Sequence, residues 1–246
     1  MESLPMSNEI LRQNIQWHQT EAYYYESTHP ENYNIFEQGR LRRQIMALAE
    51  GINTRSPVLD LGSGTGHLVR HLRRCGVEPV ACDLSIDMLR ENPAENRIVC
   101  DATRLPFRSG VFGGIISYSV FHHFPSPADV MREVARVANR ESVLFFDHDP
   151  FIPHSTRRIG RYGFTVKDLF GWGMWLVGHP KQLWRLIHYL MVGRKRHLAN
   201  ISELYQSEDE GRVNKMELLV VLHQAGFNTS VESYGGNSSL KAWRIA

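Results

Sequence analysis

The sequence predicts an α/β fold, a doubly wound and mostly parallel sheet that finishes in an antiparallel hairpin. Three observations carry this expectation. Short apolar runs alternate with helical segments between Ser56 and Asp147, as in βαβ units wound right-handedly. A glycine-rich turn, Gly62-Ser63-Gly64-Thr65-Gly66, joins the first run to the first of those helices. Near the C-terminus two extended pieces flank Gly235-Gly236-Asn237-Ser238, and glycine and asparagine supply the positive φ of a tight hairpin.

Taken in order, residues 1–50 read as helical, with tyrosines at Tyr23, Tyr24 and Tyr25 and a break at His29-Pro30. Leu41, Ile45, Leu48 and Ala49 repeat at the spacing of a helix with one buried face. This segment is expected to form an N-terminal helical lid. Residues 51–150 form the core, with strands at 57–61, 77–83, 97–101, 113–120 and 141–147. Its helices are expected at 67–75, closed by Gly76 as a C′ residue, at 86–91 and at 128–138. Residues 214–246 add a helix at 215–225, ended by Gly226, and strands at 228–234 and 239–245 that complete the sheet.

Between the fifth strand and that helix lies an insertion, 151–213. Residues 151–200 hold nine Lys and Arg against one acid, Asp168, a net +8; since the chain totals +2, the remainder carries −6. Within it Leu183, Trp184, Leu186, Ile187, Leu190 and Met191 make one helical stripe, followed by Arg194-Lys195-Arg196, cations placed where a helix dipole favours them. Two readings suit this pattern. The stripe packs on the core as a lid over the substrate, or residues 167–196 meet an anionic membrane surface peripherally. Nucleic acid is not expected, because no recognition module is evident and the aromatics are tryptophans on an apolar face.

Hydrophobic residues at 42% and charged residues at 22% exclude a disordered chain. Cys75, Cys82 and Cys100 are too few and too irregularly spaced for a disulfide framework or a zinc site. The opening residues MESLPMSNEI carry no basic and apolar leader, and no apolar run approaches the length of a membrane span. A cytoplasmic protein is expected, with peripheral membrane contact as the variant reading.

The glycine turn carries the chemistry. Asp60 stands at the end of the first strand, just ahead of Gly62, Gly64 and Gly66, where doubly wound sheets bind ligands. A dinucleotide calls for G-x-G-x-x-G with its pyrophosphate at the helix N-terminus. Here the spacing is G-x-G-x-G, and Asp60 would repel a phosphate. S-adenosylmethionine has no phosphate and carries a sulfonium and an ammonium, which a nearby carboxylate favours. Asp83, ending the second strand, can accept both ribose hydroxyls, and Asp101, ending the third, can accept from the adenine amine. The same acids could instead be solvated strand ends.

On these residues the chain resembles the class I S-adenosylmethionine-dependent methyltransferases, in particular the type-11 group that includes quinone-biosynthesis and other small-molecule enzymes. The resemblance covers residues 40–150 in detail and the terminal hairpin in outline. It implies a seven-stranded Rossmann-like sheet of order 3-2-1-4-5-7-6. It further implies that VLDLGSGTG, with Asp60, Gly62, Ser63, Gly64 and Gly66, contacts the methionine portion, and that Asp83 holds the ribose while Leu84 packs on adenine. By the same resemblance CDATRLPF brings Asp101 and Ala102 to the adenine side, and Ser119 with the following VFHHF lies beside the donor methyl. The first 40 residues and the insertion depart from the common pattern.

A sulfonium is a good leaving group, so orientation does most of the work, and a base is needed only if the acceptor must lose a proton. His122 and His123, following the fourth strand, are the first candidates for such a base, with pocket shaping as the plainer reading. His148, between Asp147 and Asp149 at the end of the fifth strand, is the next; no metal centre is expected there. The expected activity is methyl transfer to a small acceptor, with a lipid-like acceptor among the readings. The rivals are a non-catalytic adenosylmethionine-binding partner subunit, a lipid methyltransferase working at a membrane surface, and an NAD-linked oxidoreductase, which the glycine spacing disfavours.

Overall fold

The computed structural model describes residues 12, 15, 16, 18, 19, 21–52, 55–149, 166–192, 213–234 and 237–244. Seven strands form one sheet in the order β3-β2-β1-β4-β5-β7-β6: β1 (Val58–Leu61), β2 (Val80–Asp83), β3 (Asn96–Val99), β4 (Phe112–Tyr118), β5 (Ala138–Asp149), β6 (Phe227–Tyr234) and β7 (Asn237–Arg244). Strands β1 to β5 run parallel. β7 runs antiparallel to both β5 and β6. The chain therefore winds one way from β1 through β2 to β3, and the other way from β4 to β5. The crevice at this reversal opens between the carboxyl ends of β1 and β4.

Alternation along each strand supplies a layer of helices on both faces. Leu59, Leu61, Ile115, Leu144 and Phe146 point to one side, where they pack with helices α5 (Pro127–Val137) and α8 (Lys215–Gln224) through Val130, Met131, Val134, Leu218 and Leu222. Val58, Ile116 and Phe145 point to the other, against α2 (Ile35–Gly51) and α3 (His67–Arg74) through Leu41, Ile45, Leu48, Leu68 and Leu72. The periodic face expected on residues 41–49 is this contact. A short helix α1 (Tyr25–Thr28) precedes α2, and α4 (Ile86–Glu91) joins β2 to β3. Asn34 caps α2, its side-chain oxygen accepting from the N–H groups of Phe36 at 3.1 Å and Glu37 at 2.9 Å. Asn34→Ala is expected to lower stability by about 1 kcal/mol, measured as a shifted denaturant midpoint at constant m-value.

Several boundaries differ from the sequence-based expectation: β2 begins at Val80 rather than Val77, β4 ends at Tyr118 rather than Val120, and β3 and β5 differ as follows. β3 ends at Val99 rather than Asp101, because Asp101 Oδ1 accepts from Thr103 N and Thr103 Oγ1, both at 2.8 Å. That local turn competes with the ladder and draws the chain off the sheet edge. β5 begins at Ala138 instead of Glu141, directly after α5, and pairs Ala138 with Phe112 across a bulge.

Of the insertion, the described part is two helices that pack together, α6 (Val166–Val177) and α7 (Pro180–Val192); the stretch Arg194-Lys195-Arg196 and the hairpin residues Gly235-Gly236 lie outside the described residues. No described helix is long and apolar enough to cross a membrane.

Candidate active site

The loop after β1 takes its shape from glycines that no other residue replaces comfortably. Gly62 has φ +64°, and a Cβ there would sit 2.6 Å and 2.8 Å from the two methyls of Val120. Gly66 has φ +87°, and a Cβ would sit 2.4 Å from Pro93 Cδ and 2.9 Å from Asn92 Oδ1. Both are left-handed conformations that L side chains pay strain to adopt. Asn92 Nδ2 ties the loop down by donating to Ser63 Oγ at 3.1 Å and to Gly64 O at 2.9 Å. Ser63 N donates to Cys82 O at 2.9 Å, which sets the loop against the end of β2.

This arrangement brings two carboxylates together at one cavity. Asp83 accepts from Gly64 N through Oδ2 and from Ser85 N through Oδ1, both at 2.8 Å. Burial pushes its carboxyl up, and these N–H groups pull against the shift. Asp60 is 1% exposed and its Oδ2 has no hydrogen-bond partner. Burial, with the Asp83 charge added, holds the Asp60 carboxyl well above the ordinary carboxylate range. An unpartnered buried carboxylate oxygen is costly unless a cation or donor meets it. The orphaned oxygen fits the ammonium and sulfonium of adenosylmethionine and is hostile to phosphate.

The cavity wall includes Asp60, Gly62, Ser63, Gly64, Asp83, Leu84, Asp101, Ala102 and Ser119, all expected from the sequence. Gly66 does not line it; its place is the packing against Asn92 and Pro93. Met88 of α4 and the thiols Cys82 and Cys100 complete this end. Another part of the wall is aromatic, with Tyr25, Tyr33, Tyr118, Phe124, His18 and His123. Tyr33 donates to or accepts from Thr65 Oγ1 at 3.2 Å, joining the N-terminal segment to the glycine loop. Tyr118 OH donates to Glu37 at 3.0 Å and to Asn32 at 3.2 Å. Burial pushes His18 down to about 4 and His123 well below its ordinary value, with neighbouring imidazoles adding to both. Both rings are therefore neutral at pH 7, and this end of the cavity carries no charge from them.

The three candidate histidines occupy different places. His123 reaches the cavity. His122 does not; its Nδ1 lies 2.8 Å from Asp149 Oδ1, whose side chain is fully buried, and its ring packs on His123 at 4.2 Å between centroids. His148 lies behind Tyr118, stacked on it at 4.8 Å with φ +64°, and is outside the cavity wall. Its neighbour Asp147 is a structural hub, accepting from Arg40, Tyr234 OH, Ser239 Oγ and the His148 N–H at 2.5–2.9 Å. Of the tyrosine patch, only Tyr25 lines the cavity; Tyr24 OH meets His188 at 2.8 Å and Tyr23 lies under Arg185. His18, Tyr33 and Tyr118 were not singled out by the sequence, since each comes to the site through a long-range contact with no local pattern, and Asp149, read there as a flank of His148, pairs with His122 instead. No metal-holding group of three His, Cys, Asp or Glu occurs among the described residues.

A family described as a methyltransferase domain matches residues 59–146. The chain is 35% identical over 135 residues to a demethylmenaquinone methyltransferase of Beutenbergia cavernae, covering 52% of this chain and 55% of that one. It is 37% identical over 103 residues to the protein of the same name from Mycolicibacterium paratuberculosis, covering 41% and 44%. The chain thus spans about half the length of the curated relatives it matches. Among solved structures it is similar to an S-adenosylmethionine-dependent methyltransferase from Aquifex aeolicus, with TM-score 0.54, 13% identity and coverage of 92% and 98%. It is also similar to magnesium protoporphyrin IX methyltransferase from Synechocystis PCC 6803 with bound adenosylmethionine, with TM-score 0.56, 12% identity and full coverage of both chains. At these identities the structural likeness concerns the fold.

Proposed function

We propose that the chain is a class I S-adenosylmethionine-dependent methyltransferase that transfers a methyl group from adenosylmethionine to a small, uncharged, lipid-like acceptor. The observation that carries the reading is the buried carboxylate pair Asp60 and Asp83 under a bare-backbone loop. Bound adenosylmethionine supplies a methyl on a sulfonium leaving group. Asp60 meets the cationic part, Asp83 and Asp101 meet the ribose and adenine, and Leu84, Ala102 and Met88 enclose the base. The aromatic end then holds the acceptor in line with the methyl, a gain in orientation rather than in bond chemistry. The names of the quinone-type relatives favour a ring acceptor, and the uncharged imidazoles favour one without an anionic group. His18, Tyr25 and Tyr33 of the N-terminal segment cover this end as a lid.

Where the acceptor must lose a proton, His123 takes it. Its ring is neutral at pH 7, an uncharged imidazole can take up a proton, and His122, fixed by Asp149, positions it. His123→Ala is expected to lower kcat by about 100-fold or more for an acceptor of that kind. His122→Ala should lower it less and leave the affinity for adenosylmethionine unchanged. Equal kcat in wild type and His123→Ala across the pH range would show that the ring only shapes the pocket.

The direct test of the donor is ligand stabilisation. Adenosylhomocysteine at 100 times its dissociation constant adds about 2.7 kcal/mol to stability, so the melting temperature rises with it and stays constant with NAD. A rise with NAD and none with adenosylhomocysteine would transfer the site to a dinucleotide. A rise with adenosylhomocysteine but no donor consumption against any acceptor pool would favour the partner-subunit reading.

A further inference from the structure

Helix α7 is mounted inside out, and its neighbour α6 is apolar on its outer side as well as its inner one. A surface helix in water turns its apolar stripe to the core and its charges outward. α7 does the reverse. Arg185, 4% exposed, donates to Glu91 at 2.7 Å and stacks over Tyr23 at 4.0 Å, while Gln182 donates to the buried Glu26 at 2.7 Å. The stripe of Leu183, Trp184, Ile187, Leu190 and Met191 faces outward, with Trp184 64% and Met191 79% exposed. α6 anchors itself with Trp175 and Leu176 against Tyr33. Its opposite side presents Val166, Phe170, Met174 and Val177 at helical spacing, Val166 being 85% exposed. A lid that merely closed the pocket would have its apolar stripe on the inner side.

We propose that this outward apolar face of α6 and α7 docks on an anionic phospholipid bilayer. Charge selects the occupant. Residues 151–200 carry +8 while the rest of the chain carries −6, so an anionic surface attracts this segment, repels the remainder and thereby sets the orientation. A second copy of the chain docking face to face would oppose two +8 segments, which disfavours it. Trp184 on the exposed stripe suits the headgroup boundary, where an indole has an apolar body and a polar N–H. With no described helix able to cross, the contact lies on the membrane. Trp175 of α6 packs on Tyr33 at 5.3 Å, and Tyr33 lines the cavity. The docked face therefore backs directly onto the aromatic end of the site. The inference stands apart from the methyl-transfer reading, since it rests on the insertion alone.

The test uses the full chain and sedimentation with phosphatidylcholine vesicles, with and without phosphatidylglycerol, at low and high salt. The chain is expected to bind the anionic vesicles, to bind neutral ones weakly, and to release as salt rises. Trp184→Glu and, separately, Met191→Glu at the end of the helix should each weaken binding by about tenfold or more. Both variants should keep the melting temperature and far-ultraviolet circular dichroism of the wild type, which shows the fold intact whether or not adenosylhomocysteine binds. No binding of wild type at low salt overturns the proposal, as does unchanged binding by both variants. A wild type that sediments as a dimer, with Met191→Glu a monomer, would also overturn it by assigning the face to a second copy.

Discussion

Asp60→Asn should weaken adenosylmethionine binding by about 100-fold, equivalent to about 2.7 kcal/mol, and at the same time raise the melting temperature of the ligand-free protein. The two effects have one cause. The Asp60 carboxyl is buried beside Asp83 with Oδ2 unpartnered, so its charged form is disfavoured until a cation arrives. The amide is nearly isosteric and carries no charge, so it relieves the apo protein and deprives the ligand. The pH dependence follows the same logic. A group whose folded pKa is raised contributes stability that is complete below its unfolded pKa and lost as pH rises through the folded one. Adenosylmethionine favours the carboxylate. Its affinity should therefore increase as pH rises from the ordinary Asp value through the raised one, with proton release on binding. Calorimetry in buffers of different ionisation enthalpy checks this, and Asp60→Asn should abolish the proton release. A variant that binds as tightly as wild type would mean that Asp60 is a structural acid.

The second large effect is expected at Gly66. Gly66→Ala forces a Cβ to 2.4 Å from Pro93 Cδ and 2.9 Å from Asn92 Oδ1 at φ +87°. The left-handed backbone costs an alanine about 1–2 kcal/mol, and displacing a packed proline adds about 1–3 kcal/mol. A loss of about 3 kcal/mol is expected by chemical denaturation. Because Asn92 also holds Ser63 and Gly64, the ligand response should weaken as well, although Gly66 itself does not line the cavity. A change within 0.5 kcal/mol, the range of a neutral surface substitution, would show that the loop yields without strain.

What could be read from the sequence, and what could not, divides along the range of the interactions. The strands were legible because a short apolar run between helical segments is a local signal, as at Val58–Leu61, whereas the order of the strands was legible only through the family resemblance. The donor end of the site was equally legible. Asp60, the glycines, Asp83 and Asp101 lie at consecutive strand ends, and a doubly wound sheet must bring those ends to one edge. The aromatic part of the cavity wall was not, because His18, Tyr33 and Tyr118 reach it from separate elements. The pairing of His122 with Asp149 spans 27 positions and depends on how β5 ends beside the turn after β4. The stripe on α7 was visible at its helical spacing, but its direction was hidden. The inward side is decided by Glu26 and Glu91, 156 and 94 positions from their partners Gln182 and Arg185.

Isothermal titration of the full chain with adenosylmethionine, wild type beside Asp60→Asn, addresses the central claim most directly. A saturable one-to-one heat for the wild type, much weakened in the variant while NAD gives none, is the result the carboxylate pocket requires. Folded wild-type protein that gives no heat with adenosylmethionine or adenosylhomocysteine would contradict it.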